Sequence, residues 1–308
     1  MRILVLGVTG YLGRHVAAHL RALPGARVSG AGRSPGAGVR VDLGCDPPER
    51  VAELVAPVAP DAVVNCAGAT GGDAVALAEV NARGPAVLAA ALREAAPAAR
   101  LVHLGSAAEY GPGTPGTKVT ESAATCPLGP YGATKLAGTA AVTGSGLDAV
   151  VLRVGNPVGP GAPVTSLPGR ISALLRDAGA DPGAVLRLGD LSAYRDFVDV
   201  RDVARAVGLA VTAAGPLPPV LNIGGGEAVR VRELVRRLAD TAGFAGRVEE
   251  AGGGSVRSAR VSWQCSDVTA AGAALGWRPE HSLDASLAAL WAAVRGRPRG
   301  PEGGDGTP

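Results

Sequence analysis

Along the chain, apolar residues gather into short unbroken runs set between segments whose apolar positions recur every three to four residues. The runs at Ile3 to Leu6, Arg27 to Gly32, Ala62 to Asn65, Arg100 to Leu104 and Asp148 to Val154 are too short for helices and lack an alternating polar face. That pattern predicts strands buried on both sides. Between them, amphipathic helices are predicted from Tyr11 to about Leu23, from Asp73 onward, from Pro85 to Ala95 and from about Tyr131. Strands alternating with helices predict a doubly wound α/β fold, a parallel sheet covered on both faces.

After Gly155 the texture becomes Pro- and Gly-rich, with a helix expected near Ile171 to Ala178. The segment Val200 to Val211 reads as one more helix of the first layer and "VLNIGGG" as its last strand. Residues from about Ala228 to Val294 again alternate helix and short strand. The expected division is therefore a larger unit of residues 1–157 and 198–226, a smaller C-terminal α/β unit of residues 158–197 and 227–295, and a disordered tail, 296–308, that lacks apolar periodicity.

A chain of 308 residues that is 47% hydrophobic has ample material for a core. Its net charge of +3 is spread through interspersed Arg, Asp and Glu, so neither nucleic acid nor a membrane is an expected partner, and small-molecule chemistry is. Cys45, Cys66, Cys126 and Cys265 stand far apart, with no C-x-x-C pair, and read as reduced thiols. His15, His19, His103 and His281 do not cluster, so no metal site is expected. With no signal peptide and no run of membrane-spanning length evident, the expected location is the cytoplasm.

The stretch "GVTGYLG" sets Gly7, Gly10 and Gly13 at G-x-x-G-x-x-G spacing, straight after the first strand and at the start of a helix. A tight turn there lets a pyrophosphate approach the helix N-terminus, where free N–H groups and the helix dipole favour negative charge. This is the Rossmann dinucleotide-binding pattern, and it makes the larger unit the dinucleotide-binding one and the smaller the substrate unit. Thr9, Tyr11 and Leu12 complete the loop. NAD sites usually carry an acid after the second strand for the ribose 2′-OH, whereas this chain has Arg33 and Ser34. An arginine suits a 2′-phosphate, so NADP(H) is the preferred cofactor, with NAD(H) possible. Asp42, followed by Leu43, is placed either to accept from the adenine amino group or simply to make a turn.

Only two of the thirty Lys plus Arg residues are lysines, Lys118 and Lys135. Lys135 lies four residues after Tyr131, on one face of a helix. A phenol of pKa about 10 is a poor proton donor at neutral pH unless a cation stabilises its phenolate. A compact ammonium does this better than a guanidinium fork.

Taken in order, "GVTGYLG", "NCAG", "VNARG", "GSAAEYG", "YGATK", "RVGNPVGPG" and "RDFVDVRDVA" resemble the extended short-chain dehydrogenase/reductases, the NAD-dependent epimerase/dehydratase family acting on nucleotide sugars. Within it the chain is most similar to the GDP-4-keto-6-deoxymannose reductases. The resemblance implies Ser106, Tyr131 and Lys135 as the catalytic set, Lys135 also binding the nicotinamide ribose. It implies Cys66, Ala67 and Gly68 beside the cofactor, and Asn81 helping to hold the lysine. It further implies Asn156 at the floor of a nucleotide-sugar site, Arg195 and Arg187 near the diphosphate, and Arg257, with Arg260 an equal candidate, as a second diphosphate cation. Tyr110 reads as packing.

The dehydratases of this family carry acids directly after the catalytic Ser or Thr; here Ala107 and Ala108 stand there, and alanine cannot move a proton. Glu109 is expected on the opposite side of an extended strand. The reading is NAD(P)H-dependent 4-keto reduction of a nucleotide-activated 4-keto-6-deoxyhexose, with 4-epimerisation and a non-catalytic dinucleotide sensor as alternatives. A homodimer is expected, although the Tyr131 helix ends near Gly144, a turn sooner than in the reductases it resembles.

Overall fold

The computed structural model describes residues 1–250 and 261–296. A seven-stranded parallel sheet is built from β1 (Arg2–Leu6), β2 (Arg27–Gly32), β3 (Val39–Arg40), β4 (Ala62–Asn65), β5 (Arg100–Ser106), β6 (Ala149–Val154) and β10 (Val220–Ile223). Its order is β10-β6-β5-β4-β1-β2-β3, so the direction of winding reverses between β1 and β4. In open α/β sheets a ligand crevice opens at that reversal, outside the carboxyl ends of the strands.

One face is covered by α1 (Tyr11–Arg21), α7 (Val200–Thr212) and α9 (Thr269–Leu275), which bury Val5, Val64, Val102, Leu152 and Trp277. The other is covered by α2 (Pro48–Val55), α4 (Gly84–Ala95) and α5 (Pro130–Thr143), which bury Leu6, Val63, Leu101 and Val151. Alternation along the strands then puts Asn65, His103 and Arg153 on the α5 face with Val63, Leu101 and Val151.

The two helices expected around Asp73 and Pro85 form one rod. In it α3 (Ala74–Ala78), capped by Asp73, passes through a π turn at Glu79–Arg83 into α4. The rod, Ala74–Ala95, is long and apolar enough to cross a membrane, where the sequence was expected to hold no such run; half of it is buried, with Val87, Leu88, Ala91 and Leu92 in the core. It packs as a core helix.

Beyond β6 lie a three-stranded sheet of β7 (Asn156–Val158), β9 (Tyr194–Asp199) and β11 (Ala228–Arg230), and a pair, β8 (Val185–Leu188) with β12 (Arg247–Glu250). With α6 (Leu167–Ala178), α8 (Val231–Ala242) and α10 (Leu283–Arg295) they enclose a second core around Ile171, Leu175, Leu234, Leu238 and Leu287. The expected breaks after residues 157 and 197 thus fall inside β7 and β9. The expected disordered tail lies outside the described residues from 297 on.

Candidate active site

The turn between β1 and α1 is shaped by what glycine lacks. Gly7 has φ +71°, and a Cβ there would lie 2.7 Å from the Ala67 amide nitrogen, so the turn presses directly on the chain leaving β4. A Cβ on Gly13 would lie 2.0 Å from the Gly7 carbonyl oxygen. Gly10 caps α1 without a side-chain hydrogen bond, and the first turn holds no acid. The amides of that turn are therefore left for an external anion, and the cradle fits a pyrophosphate at the switch point. Cys66 and Ala67 meet the turn on the β4 side, while Gly68, next in the chain, lies beside the Asn81 side chain; Asn65 accepts from the Ala67 amide at 3.0 Å and shapes that exit.

Thr9 donates to the Ser34 hydroxyl at 3.2 Å, tying the glycine turn to the end of β2. Arg33 lines a cavity of about 360 Å³ with Arg40, Val41, Asp42, Asp46 and Arg50. Both acids in it are occupied by backbone: Asp42 accepts from the Gly44 amide and Asp46 from the Asp42 amide. Of the two roles open to Asp42, its hydrogen bond is that of a turn residue. Leu43 is buried in the core, and its carbonyl accepts from Arg83. Tyr11 turns its side chain toward the second core and donates to the Gly159 carbonyl at 3.4 Å, beside His15 on Pro160 and Arg14 on Gly161. These three contacts fix the cradle helix against the loop after β7.

Ser106 ends β5, and the chain then closes into a 3-10 turn, Ala107–Glu109. The Ser106 hydroxyl accepts from the Ala108 amide at 3.2 Å while Glu109 accepts from the Ser106 amide at 2.8 Å, a reciprocal capping box. The expectation of an extended strand here is thereby corrected. Glu109 folds back beneath Ser106, is fully buried, and pairs with Arg153 at 2.7 Å. The S-x-x-E spacing was the signal available in the sequence.

Tyr131 stands in the first turn of α5, one residue before Gly132. A Cβ on Gly132 would lie 2.5 Å from the Ala108 carbonyl oxygen, so the start of α5 rests directly on the turn that carries Ser106. One helical turn on, Lys135 is buried and donates to the Leu104 carbonyl at 2.5 Å, anchoring α5 to β5. Burial pulls the Lys135 pKa down from 10.5 to about 8, against the upward pull of Glu109 and Cys66. The same burial pushes the Cys66 thiol up to about 12, and together with Lys135 it holds buried His103 well below its ordinary value.

Asn81 accepts from the Ala69 amide and donates to the Ala69 carbonyl and the Thr134 hydroxyl. It thus fastens the β4 exit loop to α5 beside Lys135. Gly138 permits that approach, since its Cβ would lie 2.2 Å from the Asn81 carbonyl oxygen.

Toward the smaller unit, Asn156 donates to the Asp196 carbonyl and the Gln264 side chain at 3.1 and 2.9 Å. Arg195 is buried and donates to the Tyr194 carbonyl; desolvation lowers its pKa. Arg187 instead sits on the exposed β8–β12 pair, its side chain 72% accessible and 3.5 Å from Glu249. Arg257 and Arg260 lie outside the described residues. Asp196, which sequence reasoning passed over, gathers the amides of Gly225, Gly226 and Ser266, and burial pushes its pKa up to about 6.

Fold and cradle together are those of a nucleotide-cofactor oxidoreductase of the Rossmann type. The chain belongs to the NAD dependent epimerase/dehydratase family, which it matches over residues 3–224, and it is a nucleotide-sugar-modifying, NAD(P)-dependent enzyme of that family. It is 38% identical over 95% of both chains to the dTDP-6-deoxy-L-talose 4-dehydrogenase (NAD(P)(+)) of Kitasatospora kifunensis. It is 27% identical to the GDP-6-deoxy-D-mannose reductase of Pseudomonas aeruginosa, over 94% of this chain and 95% of that one. Among solved structures it superposes on RMD from Pseudomonas aeruginosa complexed with NADPH, with a TM-score of 0.83, 25% identity and coverage of 96% and 98%.

Proposed function

We propose that this enzyme reduces the 4-keto group of a nucleotide-activated 4-keto-6-deoxyhexose at the expense of NADPH. The observation that carries the reading is the seating of α5 on the Ser106 turn through Gly132, with Lys135 anchored one turn further on. That seating supports reading Ser106, Tyr131 and Lys135 as one set, since it brings the turn after β5 against the start of α5. The glycine cradle would hold NADPH, which when bound would supply a hydride to C4.

The protein's own part is to manage the oxygen. Ser106 donates a hydrogen bond to the carbonyl oxygen, Tyr131 delivers the proton as negative charge develops there, and the Lys135 ammonium stabilises the phenolate left behind. Dehydration needs a further acid and base. Ala107 and Ala108 supply neither, and Glu109 is occupied by Arg153 and the Ser106 amide. For the cofactor, Arg33 with Arg40 and Arg50 around one cavity favours a 2′-phosphate. For the nucleotide, the 38% relative named for a dTDP-sugar favours thymidine diphosphate. Arg195 and Asn156 are assigned to the diphosphate and to the floor of that site.

Replacing Tyr131 by Phe tests the assigned donor. The variant is expected to lose on the order of 100-fold in kcat or more, with NADPH binding retained; turnover within a few-fold of the parent removes the assignment.

A further inference from the structure

Glu109 is not in the set of residues to which the proposed reduction is assigned, yet it is the most completely buried acid near them. Its carboxylate divides between two partners. Oε1 accepts from the Ser106 amide at 2.8 Å, and Oε2 meets Arg153 Nε at 2.7 Å. Space for it is made by Gly105, whose Cβ would lie 2.7 Å from Oε1. Arg153 itself lies over the Tyr110 ring, its guanidinium carbon 4.5 Å from the centroid, and the Tyr110 hydroxyl donates to Asn222 at 2.8 Å. The amide of Asn222 in turn donates to Glu121. The carboxylate is thus fixed from both ends, in a place where an unpaired charge is costly to bury.

From this geometry we infer that Glu109 is a positioning residue for the catalytic pair. Through the Ser106 amide it sets the turn that presents the Ser106 hydroxyl, and it does so two residues along β5 from the Leu104 carbonyl that holds the Lys135 ammonium, so one strand end carries both the carboxylate and the cation. The inference rests on the roles given above to Ser106, Tyr131 and Lys135.

The charged and titratable groups around Lys135 come from each element packed on it. Cys66 follows β4, His103 lies on β5, Glu109 on the turn after β5, Arg153 on β6 behind Glu109, and Tyr131 on α5 itself. Cys66, pushed up to about 12, and His103, held well below its usual value, do not titrate between pH 7 and 10. The alkaline limb of the enzyme is therefore assigned to Lys135, whose pKa burial brings down to about 8. Glu109 opposes proton loss from Lys135, so removing its charge moves that limb to lower pH.

The test is Glu109→Gln, which keeps an oxygen for the Ser106 amide and removes the charge. Two profiles between pH 7 and 10 are read: NADPH affinity by nicotinamide fluorescence, which requires no sugar, and kcat/KM for the nucleotide ketosugar. The expected result is an alkaline limb lowered by about half to one pH unit in both. Glu109→Asp, which restores a charge but not the reach, should return the limb to the parent position while kcat stays depressed. A limb unmoved in Glu109→Gln, with kcat reduced by one factor at every pH, leaves Glu109 a structural residue and overturns the inference.

Where the single variant does not fold, Glu109→Gln combined with Arg153→Met removes the buried pair as a unit, a change that folds tolerate better than half a pair. Its limb is expected at lower pH as well, since of this buried pair it is Glu109 that acts on Lys135; an unmoved limb there is equally fatal. Failure of the parent enzyme to turn over ketosugars, with a normal NADPH limb, would instead count against the proposed reaction.

Discussion

Lys135 carries a conflict between stability and chemistry. Its ammonium is buried beneath α5, and its pKa falls to about 8 because burial disfavours the charge. A base whose folded pKa lies below its unfolded value binds fewer protons folded than unfolded between about 8 and 10.5, so stability rises with pH across that window. At pH 7 the full penalty is present. Lys135→Met is therefore expected to stabilise the cofactor-free protein at pH 7 by about 1–2 kcal/mol, after the lost bond to Leu104 is subtracted. That gain should shrink by pH 10, while turnover falls sharply. Thermal melts at the two pH values check this, and a variant less stable at pH 7 than its parent contradicts it. A sequence with two lysines keeps one here although the fold is expected to be more stable without it.

At the scale of elements, the junction of α5 with the Ser106 turn decides the site, and it depends on two missing side chains. Gly132 lets the helix start touch Ala108, and Gly138 lets its middle touch the Asn81 backbone. Gly132→Ala should push the first turn of α5 off the Ser106 turn, lowering kcat by roughly 10-fold or more and stability by about 1–3 kcal/mol. Dinucleotide affinity at the distant glycine cradle is expected to change little. Equal kcat in the variant would mean that this contact does not set the site.

The elements themselves were largely legible, because fully buried parallel strands leave unmistakable apolar runs; β1, β4 and the middle of β5 lie where those runs predicted. The glycine cradle was legible for the same reason that it works, since backbone approach demands glycine at fixed spacing. Glu109 was misplaced because period-two alternation was carried past Ser106 into a turn, although the S-x-x-E capping signature was present. The rod Ala74–Ala95 read as two helices because nothing in local composition marks a π turn. Arg153 on β6, Asn222 on β10 and Tyr110 after the Ser106 turn meet from distant parts of the chain, and no local pattern records a contact over such separations.

In the molecule as a whole, the reversal of the sheet between β1 and β4 places the cradle, the Ser106 turn and the head of α5 along one edge of the sheet. The smaller unit is brought to that edge by β7 and β9, and by Tyr11, Arg14 and His15 reaching the loop at 159–161. Asp199 helps to hold this arrangement, accepting from Arg201 on one side and from Ser286 of α10 on the other. Arg33, Arg40 and Arg50 line one cavity that the head of α5 does not reach, so in the proposed function the choice of cofactor and the carbonyl chemistry fall to separate parts of the fold.

The most direct measurement follows NADPH absorbance with dTDP- and GDP-4-keto-6-deoxyhexoses generated in situ, alongside denaturing extraction of the purified enzyme to look for bound dinucleotide. The expected result is one NADPH oxidised per ketosugar reduced, faster with the dTDP-sugar, by an enzyme whose cofactor exchanges freely. Absence of NADPH oxidation, with NAD⁺ retained through purification and a 4-epimer formed, would contradict it.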